Sequence, residues 1–168
     1  MASADLRNHL DTVVTPVALG LGANLGDPAA ALAAALAALR RGGVRKLRLS
    51  AVRVTVPVDC VPGTPPFHNA AATGEWGGTA VELLALCHRI ERELGRPARH
   101  SPREARVIDL DILLFGGAVL RLPGLEVPHP RLLGRRFALE PLAELAADWP
   151  IPGTGLTVGE ALARLGRG

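Results

Sequence analysis

Two carboxylates, Asp109 and Asp111, lie two residues apart within Val107 to Phe115, a run (VIDLDILLF) that is otherwise apolar. Strand side chains alternate faces, so both acids are expected on one face, with Ile108, Leu110 and Ile112 turned into the core. Like charges so close disfavour one another unless a cation sits between them. Magnesium is the natural candidate, because a hard cation takes few oxygen ligands from the protein and completes its shell with water and substrate phosphate. A D-x-D pair is common, and taken alone a solvated pair on an exposed sheet edge explains it equally well. Its neighbours shift the balance: Arg96, Arg99, Arg103 and Arg106 precede it, and His129, Arg131, Arg135 and Arg136 follow. Arginines on both sides of an acidic pair suit a polyphosphate, which metal and guanidinium neutralise together, so a nucleoside triphosphate is the ligand this pattern favours.

Rings are scarce, with Trp 2, Phe 3 and Tyr 0, so each can be weighed singly. Phe67 and Phe137 follow a proline-rich and an arginine-rich loop; core residues by default, they are also candidate stacking platforms for a flat heterocycle. Trp76 and Trp149 have no such setting and are expected to pack. His129, between Pro128 and Pro130, is either a phosphate donor or an ordinary loop histidine, and Asn24, set among Gly20, Gly22 and Gly26, is better explained as a turn residue. Cys60 and Cys87 lack a partnered histidine and any C-x-x-C spacing, so neither is assigned catalysis and a reducing, cytoplasmic setting is expected. The first residues carry no apolar core of a signal peptide. The longest apolar run, Ala29 to Leu39, falls short of the roughly 20 residues a membrane helix needs.

The elements that must position these residues follow from local signals. The chain has 168 residues with hydrophobic 48% and charged 21%, enough apolar surface for one globular domain over 15–168 after a flexible extension at 1–14. Its net charge of +3 is too modest to demand nucleic acid. Pro16 to Leu21 reads as a strand ending in a glycine loop. A helix follows, with Asp27 as N-cap, Pro28 in its first turn, Leu32, Leu36 and Leu39 on one face and Gly42-Gly43 as the stop. Leu47 to Val56 is expected as a strand whose apolar phase switches between Ala51 and Val52, which requires either a bulge or cover on both faces. After a proline-rich loop, Phe67 to Trp76 is extended. A second helix starts at the capping box Thr79 to Glu82 and stops at Gly95. The order β-α-β-β-α-β, closed by the Asp109 strand, is that of an α+β ferredoxin-like sandwich with both helices on one face. C-terminal helices, one started by Pro141 and running through Ala147 and one capped from Thr157 to Glu160, would be additions to it.

These segments together resemble 6-hydroxymethyl-7,8-dihydropterin pyrophosphokinases from about Val17 to the Pro150 region. The segments are Gly22 to Asp27, Pro66 to Ala70, Arg106 to Ile112, Pro128 to Arg131 and Arg136 to Leu139 with Pro141-Leu142. Each is weak alone, but their order and spacing are highly specific. The resemblance implies the ferredoxin-like fold and transfer of the β,γ-diphosphate of ATP to the pterin hydroxymethyl group, leaving AMP. It implies that Asp109 and Asp111 hold two Mg²⁺ ions, with Arg96 and Arg106 serving catalysis beside them. Arg96, Arg106, His129 and Arg135 would contact ATP, with His88, Glu91 and Ile112 lining its adenosine side. The pterin would lie between Phe67 and Phe137, its hydrogen-bonding edge read by Asn69 and the backbone of Val56, Pro57 and Val58. Partners are then ATP and the pterin, with no nucleic acid and no membrane, and a monomer is expected.

Family members usually carry Arg-Trp-Gly-Pro-Arg before the acidic strand, where this chain has Arg103-Glu104-Ala105-Arg106; Asp59 also replaces an apolar residue. The loop from Arg96 to Ala105 is expected to be mobile without ligand and to order on Mg-ATP through its arginines. Two other classes compete. A nucleic-acid-binding ferredoxin-like module should carry aromatics on its strands, whereas here the expected central strand carries acids. A Mg²⁺-dependent nuclease or nucleotidyltransferase shares the acids but leaves Phe67, Asn69 and Phe137 unexplained.

Overall fold

The computed structural model describes residues 13–57, 59–95 and 107–166. Its main sheet consists of β1 (Thr15–Ala23), β2 (Arg45–Leu49), β3 (Arg53–Thr55), β4 (Phe67–Trp76) and β5 (Asp109–Phe115), in the order β2-β4-β1-β5 with β3 also pairing β4. The pairings are antiparallel, and α1 (Pro28–Arg41) and α2 (Ala80–Glu93) connect the strands as a ferredoxin-like α+β fold requires. One correction to the sequence reading concerns β5, which is an edge strand of this sheet and not a central one.

Local chemistry sets both connecting helices. Asp27 Oδ1 accepts the Ala30 N–H at 3.1 Å, and Pro28 begins α1. Thr79 and Glu82 close a reciprocal capping box at α2. The end of α1 meets α2 so closely that a Cβ on Gly42 would lie 2.5 Å from Leu86 Cδ1, so any larger residue there forces Leu86 to shift. Leu32, Leu39, Leu83, Cys87 and Ile90 bury against Leu19, Leu21, Leu110 and Ile112 as the first core.

The expected strand from Leu47 to Val56 is divided by a bulge, which accounts for its phase switch. Leu49 pairs Ala72 but Arg53 pairs Asn69, so one extra residue sits on the outer chain. Ser50 supports it: its N–H donates to Ala71 O and its Oγ accepts the Ala71 N–H, both at 2.9 Å. A hydroxyl thus takes a ladder position, and beyond it Arg53 faces the side opposite α1 and α2.

That opposite side carries a second core. Helix α3 (Arg136–Ala146) buries Leu139 and Leu142 against Ala18, Ala71, Leu113 and Leu114, with α4 (Val158–Arg164) packed beside it. Helix α3 starts at Arg136 and not at Pro141, which lies inside it. Burial of Ala138 and Leu139 extends the helix ahead of the proline, outweighing the backbone donor Pro141 lacks. Two hairpins complete the structure, β6 (Leu120–Leu122) with β7 (Leu125–Val127), and β8 (Pro150–Ile151) with β9 (Leu156–Thr157). No described helix is long and apolar enough to cross a membrane.

Candidate active site

Strand register gathers the polar residues of the second face into one row. Gly22 on β1 pairs Asn69 on β4 and Asp109 on β5, and Gly20 pairs Ala71 and Asp111. Paired residues share a face, so Asn69, Gly22 and Asp109 lie across three adjacent strands, each step about 4.8 Å. Phe67 belongs to the same face by its period-two spacing from Asn69. Glycine matters in this row: a Cβ on Gly22 would lie 3.2 Å from Asn69 Oδ1 and crowd the amide. The amide is anchored from the other side, where Asn69 Nδ2 donates to Thr55 Oγ1 at 2.8 Å.

Two cavities open from this row. One, of about 550 Å³, is bounded by α2, β5 and the β6–β7 hairpin, and is lined by His88, Glu91, Ile112, His129 and Arg135 among others. The second, of about 490 Å³, is lined by Gly22, Thr55, Val56, Phe67, Asn69 and Phe137. Asp109, Asp111, Arg131 and Arg135 line both. Two chambers thus meet at a wall of two carboxylates and two guanidinium groups.

The family model for 7,8-dihydro-6-hydroxymethylpterin-pyrophosphokinase (HPPK) matches residues 18–147, from β1 to the end of α3. The chain belongs to this family. It is 41% identical over 153 residues to the 2-amino-4-hydroxy-6-hydroxymethyldihydropteridine pyrophosphokinase of Methylorubrum extorquens, covering 90% of this chain and 94% of that protein. To the protein of the same name from Pseudomonas aeruginosa it is 37% identical over 141 residues, covering 83% and 86%. The folic acid synthesis protein fol1 of Pneumocystis carinii is 32% identical over 142 residues, and the match spans 19% of its length. Plasmodium falciparum HPPK-DHPS, solved with pteroate, shares the fold at a TM-score of 0.69 and 13% identity, over 90% of this chain and 42% of that one. As a member of the HPPK family the chain carries pyrophosphoryl transfer to hydroxymethyl-dihydropterin in folate synthesis, a reaction that implies ATP as co-substrate.

Within this HPPK chain the residues singled out by sequence fall into the two chambers, with exceptions. Pro57 lines neither. Val58, Arg96 and Arg106, and with them the loop from Arg96 to Ala105, lie outside the described residues, as does most of the 1–14 extension. Asn24 lies in the β1–α1 loop, buried, and its Nδ2 donates to Pro65 O at 3.3 Å, tying that loop to the segment that leads into Phe67. Arg131, in sequence one basic residue among several, lines both chambers, and Thr55, which carries no signal of its own in the sequence, lines the second. Only strand register could have found Thr55, through its place beside Asn69.

Neighbours define what several side chains can do. His129 Nδ1 accepts the Arg131 N–H at 3.2 Å, which leaves Nε2 to carry the ring proton as a donor. Burial, then Arg135 and Arg131, lower its pKa to about 4, so the ring is neutral at neutral pH. Glu91 is buried, and its Oε1 accepts the Leu110 N–H at 2.9 Å, satisfying an edge-strand donor beside the carboxylates. Burial, with Glu91 and Asp111 nearby, pushes the Cys87 thiol up to about 12 and leaves it protonated. Arg135 stacks over the Phe137 ring at 5.3 Å, linking the shared wall to the aromatic one. No group of three or more metal-ligating side chains occurs among the described residues. Two carboxylates on one strand face fit a cation that keeps waters and takes phosphate oxygens.

Proposed function

We propose that the chain transfers the β,γ-diphosphate of ATP to the hydroxymethyl oxygen of 6-hydroxymethyl-7,8-dihydropterin and releases AMP, with residues 15–168 acting as one pyrophosphokinase domain. The observation that carries this reading is the shared wall: Asp109, Asp111, Arg131 and Arg135 belong to both chambers, so two small molecules can meet there. ATP occupies the chamber of His88, Glu91, Ile112 and His129, and the pterin occupies that of Val56, Phe67, Asn69 and Phe137. Asp109 and Asp111 hold Mg²⁺, and the family resemblance implies two ions. When bound, the metal neutralises the phosphate oxygens and holds the chain of phosphates in line.

The residues of this chain do the rest by placement. Phe67 and Phe137 offer apolar faces to a flat bicycle, and Asn69 reads its polar edge from a position held by Thr55. His129 donates from neutral Nε2 to a phosphate oxygen, while Arg131 and Arg135 supply fixed positive charge where the transferred group passes from one chamber to the other. The pterin hydroxyl oxygen forms a bond to the β-phosphorus, the bond from that phosphorus to the α,β-bridging oxygen breaks, and the hydroxyl proton passes to solvent. No covalent intermediate on the protein is needed, consistent with the protonated Cys87. Incubation with Mg-ATP and the hydroxymethyl-dihydropterin, followed by nucleotide analysis, tests the reading: AMP supports it, and ADP excludes it.

A further inference from the structure

Arg53 stands on the substrate-bearing face, two residues before Thr55, and its side chain reaches across to α3. Its Nη2 pairs with Glu144 Oε1, and its Nη1 lies 3.9 Å from Glu140 Oε2. The other oxygen of Glu144 accepts the Ala51 N–H at 3.0 Å, just before β3. Positions 137, 140 and 144 follow i, i+3, i+7 spacing, so Phe137 and the two glutamates lie along one stripe of α3. The same helix stripe that carries a wall of the second chamber is therefore tied to the strand that carries the opposite wall. Among the described residues Arg53 Nε is buried with no hydrogen-bond partner, and the guanidinium meets the glutamates through its terminal nitrogens.

We propose that Arg53, with Glu140 and Glu144, is a positioning clasp that sets the spacing between the Thr55–Asn69 wall and the Phe137 wall, and so the fit of the pterin. This rests on the assignment of that chamber to the pterin. The clasp touches neither substrate. Its ions lie outside the 550 Å³ chamber, so ATP binding does not depend on it. The Ala51 N–H, and then the Arg53 guanidinium, hold the Glu144 carboxyl below the usual carboxylate range.

The test measures the affinity of the full chain for the hydroxymethyl-dihydropterin and, separately, for a non-hydrolysable Mg-ATP analogue. Arg53→Gln is expected to weaken pterin binding about three- to tenfold and leave the ATP analogue unchanged. The charge-reversed pair Arg53→Glu with Glu144→Arg is expected to regain most of the pterin affinity that Arg53→Glu alone loses. If Arg53→Gln does not fold, Glu144→Gln gives the same readout with Arg53 still facing Glu140. Pterin affinity that is unchanged while the melting temperature falls overturns the clasp, as does an equal loss of both ligands. A wild-type chain that binds the ATP analogue and no pterin overturns the assignment of the chamber and the clasp together; a wild type that binds both, with variants that match it, overturns the clasp alone.

Discussion

Replacing Gly22 with alanine adds one methyl group directly against the Asn69 amide. The new Cβ would lie 3.2 Å from Asn69 Oδ1, a few tenths of an ångström inside ordinary contact. Asn69 cannot simply retreat, because Nδ2 is bound to Thr55 Oγ1 at 2.8 Å and the residue is 9% exposed. The amide must tilt, which weakens a hydrogen bond with a net value of about 0.5–1.5 kcal/mol. Alanine in a strand recovers about 0.5–1 kcal/mol of backbone entropy relative to glycine, so the two effects nearly cancel in stability. They do not cancel in binding. With Asn69 at the proposed pterin edge, a tilted amide loses its aim, and losing about 1 kcal/mol there is expected to weaken the pterin about fivefold. Gly22 does not line the ATP chamber, so ATP affinity stays constant. Titration of each ligand alongside a thermal melt separates these effects. Unchanged pterin affinity, or an equal loss of both ligands, would refute the placement of Asn69 at the pterin edge.

Asp109→Ala or Asp111→Ala is expected to lower turnover by about a thousandfold, corresponding to about 4 kcal/mol of lost phosphate neutralisation, with an unchanged melting curve; near-normal turnover with Mg²⁺ would remove the metal assignment. Phe67→Ala or Phe137→Ala should weaken the pterin about tenfold and leave ATP almost unaffected, since each ring lines only the second chamber; a loss of both would mark the rings as core. His129 has a folded pKa near 4 against an ordinary value of 6.5, so the unfolded chain binds its proton more readily between these values and stability falls as pH drops through that window. At about 1.4 kcal/mol per pH unit, and discounted by half for a part-exposed ring, the loss is about 1–2 kcal/mol, and it should vanish from urea-unfolding curves of His129→Gln.

Local signals made much of this molecule legible in its sequence. Asp27 with Pro28, and the boxes Thr79–Glu82 and Thr157–Glu160, act within one helical turn, so their pattern survives without knowledge of the fold. The shared face of Asp109 and Asp111 follows from strand periodicity alone. What the sequence did not disclose depends on contacts between distant residues. The phase switch near Ala51 announced an irregularity, but whether it was a bulge was decided by Ser50 taking the Ala71 N–H from a strand 21 residues away. The start of α3 is hidden in the sequence because Pro141 is a strong local sign of a first turn, whereas burial of Ala138 and Leu139 is tertiary. Thr55 carries no sign of its own until register sets it beside Asn69. Arg131 is one arginine among many until two chambers are found to share it.

The central claim is that a diphosphate crosses intact from one chamber to the other at the wall of Asp109, Asp111, Arg131 and Arg135. Separate reactions with ATP labelled at the β-phosphorus and at the γ-phosphorus test it most directly, with the pterin product isolated and counted. Label from both positions should appear in the product in equal amounts, with unlabelled AMP as the companion nucleotide. Label from the γ-position alone, with the β-label retained in ADP, would contradict the account.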